Sequence, residues 1–137
     1  MMEDRFKFKV WDKENKCFLI ERKQEFNKQF FAVYELDDKS AFSSLGWCLE
    51  KKEFKVIQSI GIRDLNKKLI YDGFILKDIN FPQFLYKVIW DKDKCKFKFQ
   101  IANKTNIDYN LIKVDKEYSE KYLEVIGNIY ENKDLLK

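Results

Sequence analysis

No histidine occurs anywhere in this chain, and that absence excludes more chemistry than any other feature of the sequence. It removes the usual general base near neutral pH, the usual partner of a serine or cysteine nucleophile, and the commonest imidazole metal ligand. The three cysteines, Cys17, Cys48 and Cys95, lie far apart and form no CxxC pair, so neither a zinc cluster nor a disulfide framework is indicated. Buried thiols are the expected reading. Arginine occurs only at Arg5, Arg22 and Arg63. The net charge of +4 is therefore carried by lysine, which lacks the planar fork that readers of guanine or paired phosphates use. No apolar run approaches the roughly 20 residues needed to cross a bilayer. The opening "MMEDRFKFKV" carries charges where a secretory leader needs its apolar stretch. A soluble, cytoplasmic protein without membrane association is expected. Phosphate-binding glycine loops and GxSxG or GxGxxG signatures are missing as well.

What the chain does contain is apolar surface arranged with a period of two. Hydrophobic residues make up 45% of its 137 positions, enough for one domain with its own core. In "RFKFKVW", Phe6, Phe8 and Val10 alternate with lysines, the pattern of a half-buried strand. "DKENK" then supplies a turn, and "CFLI" completes a hairpin. "QFFAVYEL" reads as a further strand, whereas residues 37–49 show neither period and read as short strand or irregular. "FKVIQSI" is a strand expected to end at Gly61, "RDLNKK" a turn, and "LIYDGFIL" a strand bent at Gly73. After Pro82 comes the clearest hairpin: Phe84, Tyr86, Val88 and Trp90 share one face of its first strand. Cys95, Phe97, Phe99 and Ile101 share one face of its second, with "DKDK" between them. "IANKTNIDYN" reads as loop, "KEYSEKYL" as a helical turn or the lead into the strand "YLEVIGNIY", and "ENKDLLK" as a short helical tail. No internal repeat of fixed period and no low-complexity linker divides the chain. The expected fold is mainly β, with antiparallel hairpins forming a small barrel-like or strongly twisted sheet and only short helical pieces. A single domain is expected over residues 1–137, with a hairpin region at about 1–36 and a barrel-like second half at about 54–130.

Three stretches together resemble the YopX family of phage and prophage proteins. They are "FKFKVWDKENK" at Phe6 to Lys16, "GIRDLNKKLIYDG" from Gly61 to Gly73, and "EVIGNIYEN" followed by a leucine pair, from Glu124 to Leu136. Two departures stand out. Where the family tends to have Asn-Gly this chain has Asn66 and Lys67, and where it tends to have Gly-Asp it has Gly73 and Phe74. The first change is expected to relax the turn, and the second removes an acidic side chain. The resemblance implies a β-rich fold, phage or prophage origin and action in the bacterial cytoplasm; it implies no reaction and no cofactor.

Three functional classes remain to be weighed. Asp12, Asp64, Asp72 and Asp91 could serve acid-base chemistry, but aspartate in "WDKENK", "RDLN" and "WDKDK" is what a turn requires, so no catalytic or metal site is expected. Lysines alternating with aromatics, Lys94, Lys96 and Lys98, could follow a nucleic-acid backbone. Alternation, however, sets Phe97 and Phe99 opposite those lysines, so the rings face the core and only weak, sequence-independent contact is expected. The third class, binding of a host or phage protein or self-association into a homo-oligomer, needs no missing chemistry and is preferred. An aromatic patch around Trp11, Trp47 or Trp90 would serve it, with Trp11 as the candidate contact, although in so small a domain a tryptophan equally serves to anchor the core. Gly61, Gly73 and Gly127 are expected to serve the fold.

Overall fold

The structure is a computed structural model and describes residues 7–26, 29–35, 42–102 and 111–136. Contacts group the chain into two compact units, Phe8–Ile57 and Met1–Lys7 with Gln58–Lys137. The expectation for "IANKTNIDYN" falls largely on residues 103–110, outside the described residues.

In the first unit, β1 (Phe8–Asp12) pairs antiparallel with β2 (Cys17–Phe18), and β3 (Ile20–Phe26), β4 (Gln29–Glu35) and β5 (Phe42–Ser44) form an antiparallel meander in that order. A helix, α1 (Leu45–Glu50), follows where the sequence shows no period. Six residues are too few to display one, and the helix depends on tertiary burial of Cys48 rather than on propensity. Val10, Leu19, Tyr34 and Cys48 form the core of this unit, with Phe54 and Val56 packed against them. Those last two open β6 (Phe54–Arg63), the strand within which the unit boundary falls.

The second unit continues with β7 (Leu69–Tyr71), β8 (Phe74–Asp78), β9 (Leu85–Asp91), β10 (Lys96–Ile101), β11 (Leu111–Lys113), helix α2 (Lys116–Tyr122) and β12 (Leu123–Asn128), then a 3-10 turn at Lys133–Leu136. Five strands form an antiparallel sheet in the order β11-β10-β9-β8-β12, curled into a half-barrel. The fold class is thus the one the sequence predicts. Ile70, Phe74, Ile75, Leu76, Val88 and Phe99 are buried at its centre. "KEYSEKYL" is a two-turn helix because Asp115 caps it, its carboxylate accepting from the Tyr118 N–H at 3.0 Å.

Gly61 does not end its strand. β6 runs on to Arg63 through a bulge: Ser59 lies opposite Tyr71 and Arg63 opposite Leu69, so β6 spends four steps where β7 spends two. Gly61 sits inside it at φ +82°, a conformation glycine adopts without steric cost, and its N–H donates to Ser59 Oγ at 2.9 Å.

The turn that follows is organised by Asp64, which is 2% exposed. Its Oδ1 accepts from the backbone N–H groups of Asn66 at 2.9 Å and Lys68 at 2.8 Å, and its Oδ2 accepts from Val125 at 2.8 Å. A further bond, Leu65 N–H to the Leu123 carbonyl at 2.9 Å, runs beside it. The turn thereby covers β12. The far end of the same segment meets the same partner, because the Ile129 N–H donates to the Gly73 carbonyl at 2.9 Å and the Tyr130 ring lies over Gly73.

Two stability predictions follow from this packing. Gly73 holds φ +84°, and a Cβ there would stand 2.9 Å from the Tyr130 ring. Gly73→Val should cost about 2–4 kcal/mol, through strain and overpacking. An unchanged thermal midpoint would refute the account. Lys67 sits at φ +65° and the turn is fully formed around it, so its non-glycine residue strains the turn without opening it, contrary to the expected relaxation. Lys67→Gly should therefore raise stability by about 0.5–1 kcal/mol, read from the denaturant midpoint.

Candidate functional site

Two hairpins, one in each unit, are built to the same pattern. In the first, Asp12 opens the turn: its Oδ1 accepts from the N–H groups of Glu14 at 3.0 Å and Asn15 at 3.2 Å, and the turn closes on Lys16 at φ +55°. In the second, Asp91 Oδ1 accepts from Asp93 at 3.1 Å and Lys94 at 3.2 Å, and the turn closes on Cys95 at φ +53°. Trp11 pairs across the strands with Phe18, ring centroids 4.9 Å apart at 67°. Trp90 pairs with Phe97 at 5.0 Å and 69°. The pattern Trp-Asp, four turn residues, one spacer and Phe thus encodes one local object twice. It escapes a scan for fixed-period repeats because it occurs only at the two hairpins.

The two copies differ in cover. Trp11 is 7% exposed and Trp90 50%. Edge-to-face pairing with Phe97 holds the Trp90 indole in one orientation although half of it meets solvent. Beside it lies a groove of about 450 Å³ whose walls include Ser59, Ile60, Trp90, Lys96, Phe97 and Lys98.

The residues singled out from the sequence fall in different settings. Trp11 is interior, so it offers little surface to a partner. Lys94 and Lys96 are exposed, on the turn and at the start of β10. Lys98 is drawn in: its ammonium lies 3.2 Å from Asp91, with the two side chains 13% and 16% exposed. Burial opposes ionisation of Asp91, but the Lys98 ammonium and the N–H groups of Lys94 and Asp93 outweigh it and hold the carboxyl below its ordinary range. Alternation in β10 is as expected, with Phe99 buried and Phe97 half-buried. Trp90, on that same face by register, is the exception that leaves the core. Gly127 follows a bulge in β12, where a Cβ would meet Asn132 Oδ1 at 2.6 Å. That oxygen accepts from the Asn128 N–H at 3.1 Å, so glycine keeps the closing turn intact. Only Cys48 fits the expectation of buried thiols, its pKa pushed up by burial; Cys17 is half-buried and Cys95 exposed, because it sits in the turn.

One cluster is not anticipated by the sequence reading. Asp78 is 1% exposed at the end of β8. Its Oδ1 accepts from the Asn80 N–H at 2.9 Å and the Tyr118 hydroxyl at 3.0 Å; its Oδ2 accepts from Tyr118 at 2.8 Å and from Tyr86 at 2.9 Å. In the sequence Asp78 looks like one more turn acid, and its tyrosine partners lie 8 and 40 residues away. Burial and the Asp78 carboxylate push both tyrosines above their ordinary range. Burial, aided by Asp72, pushes Tyr130 up to about 12. Among the described residues no three acids or cysteines converge as a metal site would require, and no helix is long and apolar enough to cross a membrane.

The family model described as YopX protein matches residues 7–137, and the chain belongs to that family. It is similar in fold to the crystal structure of protein EF1440 from Enterococcus faecalis, with a TM-score of 0.55 and 18% identity over 96% of this chain and 97% of that one. It is likewise similar to the crystal structure of protein yopX from Bacillus subtilis, with a TM-score of 0.52 and 18% identity over 95% and 97% of the two chains. No curated protein matches the chain.

The tyrosines make the fold sensitive to alkali. A phenol whose pKa is raised in the folded state contributes stability that is complete below its unfolded pKa near 10 and is lost as pH rises through the folded value. For Tyr130 that window runs from about 10 to about 12. Tyrosinate absorbance should therefore rise late, together with loss of near-ultraviolet circular dichroism. Full ionisation near pH 10 with the fold intact would contradict these environments.

Proposed function

We propose that this YopX-family protein is a non-enzymatic accessory protein of phage or prophage origin, working in the bacterial cytoplasm by binding another protein through the Trp90 groove. The observation that carries the reading is the contrast between two hairpins of one design, one tryptophan covered and the other open. Leaving half an indole in water forgoes roughly 2 kcal/mol of burial. A rigidly held tryptophan at the mouth of a groove is the kind of residue on which binding energy concentrates. Exposed Lys92, Lys94 and Lys96 surround it and favour an acidic partner surface by steering. Pairing of Lys98 with Asp91 lowers the positive charge available to a nucleic-acid backbone, which supports a protein partner over nucleic acid. Three of the four aspartates that a catalytic reading would recruit are engaged by the fold: Asp12, Asp64 and Asp91 bind backbone N–H groups in turns. Self-association through the same groove is the homo-oligomeric form of this proposal.

The test compares wild type with Trp90→Ala in affinity capture from phage-infected cells, alongside the oligomeric state of each purified protein. A protein recovered in fixed proportion, or a wild-type oligomer, should be weakened at least about tenfold by the substitution while the thermal midpoint stays within about 2 °C. Recovery indifferent to Trp90 would overturn the site. Recovery dominated by nucleic acid that salt releases would favour the lysine-rich hairpin as a weak, sequence-independent binder instead.

A further inference from the structure

A second cavity, of about 360 Å³, lies in the curled sheet's unit between helix α2 and strands β8 to β10. Its walls include the rings of Phe81, Tyr86, Phe99 and Tyr118, and its charged residues are Asp78 and Asp115. Among the described residues no lysine or arginine lines it, in a chain where basic residues outnumber acidic ones 27 to 23. Asp78, Tyr86 and Phe99 are buried, and Phe81, 49% exposed, stands at the mouth. The Tyr86 and Phe99 rings lie within 7° of parallel.

We propose that this cavity binds a methylated, quaternary-type ammonium group. Aromatic faces attract cations through the ring quadrupole, and a desolvated carboxylate behind them adds long-range attraction. The hydroxyls of Tyr86 and Tyr118 both donate to Asp78, which shifts electron density into the two rings and makes their faces more attractive to a cation. The choice of ammonium follows from counting acceptors. A carboxylate offers about four lone-pair positions. Asn80, Tyr86 and Tyr118 bring three donor hydrogens to Asp78, that of Tyr118 shared between both oxygens, and leave at most one position open. Asp115 is exposed to water and accepts from the Tyr118 N–H through Oδ1 at the helix N-terminus. A primary ammonium would bring three N–H donors where Asp78 offers at most one open position, and would lose its hydration for little return. A trimethylated nitrogen needs no acceptor and presents only polarised methyl groups to the rings. Such a group could belong to a trimethyl-lysine side chain or to a free choline-like metabolite.

Titration of the full chain with tetramethylammonium, followed by calorimetry and by the ligand methyl resonance, should give saturable millimolar or tighter binding with the methyl signal shifted upfield by the rings. Choline should bind comparably, and its neutral isostere 3,3-dimethylbutanol at least tenfold more weakly. Phe81→Ala, at an exposed position, should weaken tetramethylammonium severalfold without moving the thermal midpoint; Tyr118→Phe should weaken it while retaining the ring. A trimethyl-lysine peptide binding tenfold tighter than choline would assign the group to a protein tail, and the reverse order to a small metabolite. Equal binding of the neutral isostere, or no saturation by about 50 mM tetramethylammonium, overturns the proposal.

Discussion

A single buried carboxylate ties the second unit together. Asp64 gives one oxygen to its own turn and the other to the backbone of Val125, 61 residues later. Ion-to-amide hydrogen bonds are stronger than neutral ones, and a buried carboxylate without them would carry a large desolvation cost. The position therefore tolerates little besides aspartate, and the turn and the last strand must form together or not at all. Gly73 repeats the linkage at the other end of the segment, bonded to Val88 on one side and Ile129 on the other. The central and closing motifs of the family are thus two halves of one packing arrangement. What the signature specifies is how the half-barrel closes, so family membership by itself points to no chemistry.

That division explains how much of the molecule was legible in its sequence. Strands with one wet and one dry face announce themselves, and β9 and β10 stand where alternation places them, with the Asp91 turn between. Turn acids are legible too, because Asp12 and Asp64 bond donors two to four residues ahead. Legibility fails where the deciding contact is distant. Helix α1 is too short to show a period and rests on burial of Cys48. Gly61 looks like a terminus, yet β6 passes through it because Ser59 and β7 support a bulge there. The Asp115 cap was readable in principle, as an aspartate just ahead of "KEYSEKY".

The candidate site was legible only in part, for a related reason. Composition and alternation pick out the tryptophans and lysines and assign each to a face. They do not say where the cover over that face ends. Trp11 and Trp90 have nearly the same neighbours in sequence, the same cross-strand partner and the same turn, and differ sevenfold in exposure. No property of the local sequence could separate them. Lys96 and Lys98 are likewise two residues apart on one face, and Lys96 stands opposite Asp91 in register, yet it is Lys98 whose ammonium lies 3.2 Å from that carboxylate.

Function in such a fold is best sought where a repeated local design meets unequal surroundings, or where a polar group is supported beyond what its own turn needs. The Trp90 hairpin meets the first condition. Asp78 meets the second: turn formation requires only its bond to Asn80, whereas Tyr86 and Tyr118 reach it from β9 and α2. A carboxylate that already accepts three hydrogens has at most one acceptor position left, so it is poorly placed to remove a proton from a substrate. In the proposed reading this carboxylate, set inside an aromatic wall, acts by its field and not by transfer. In the proposed readings both features serve recognition in the same way: groups held in place by their neighbours, with a face or a field left over for something outside the chain.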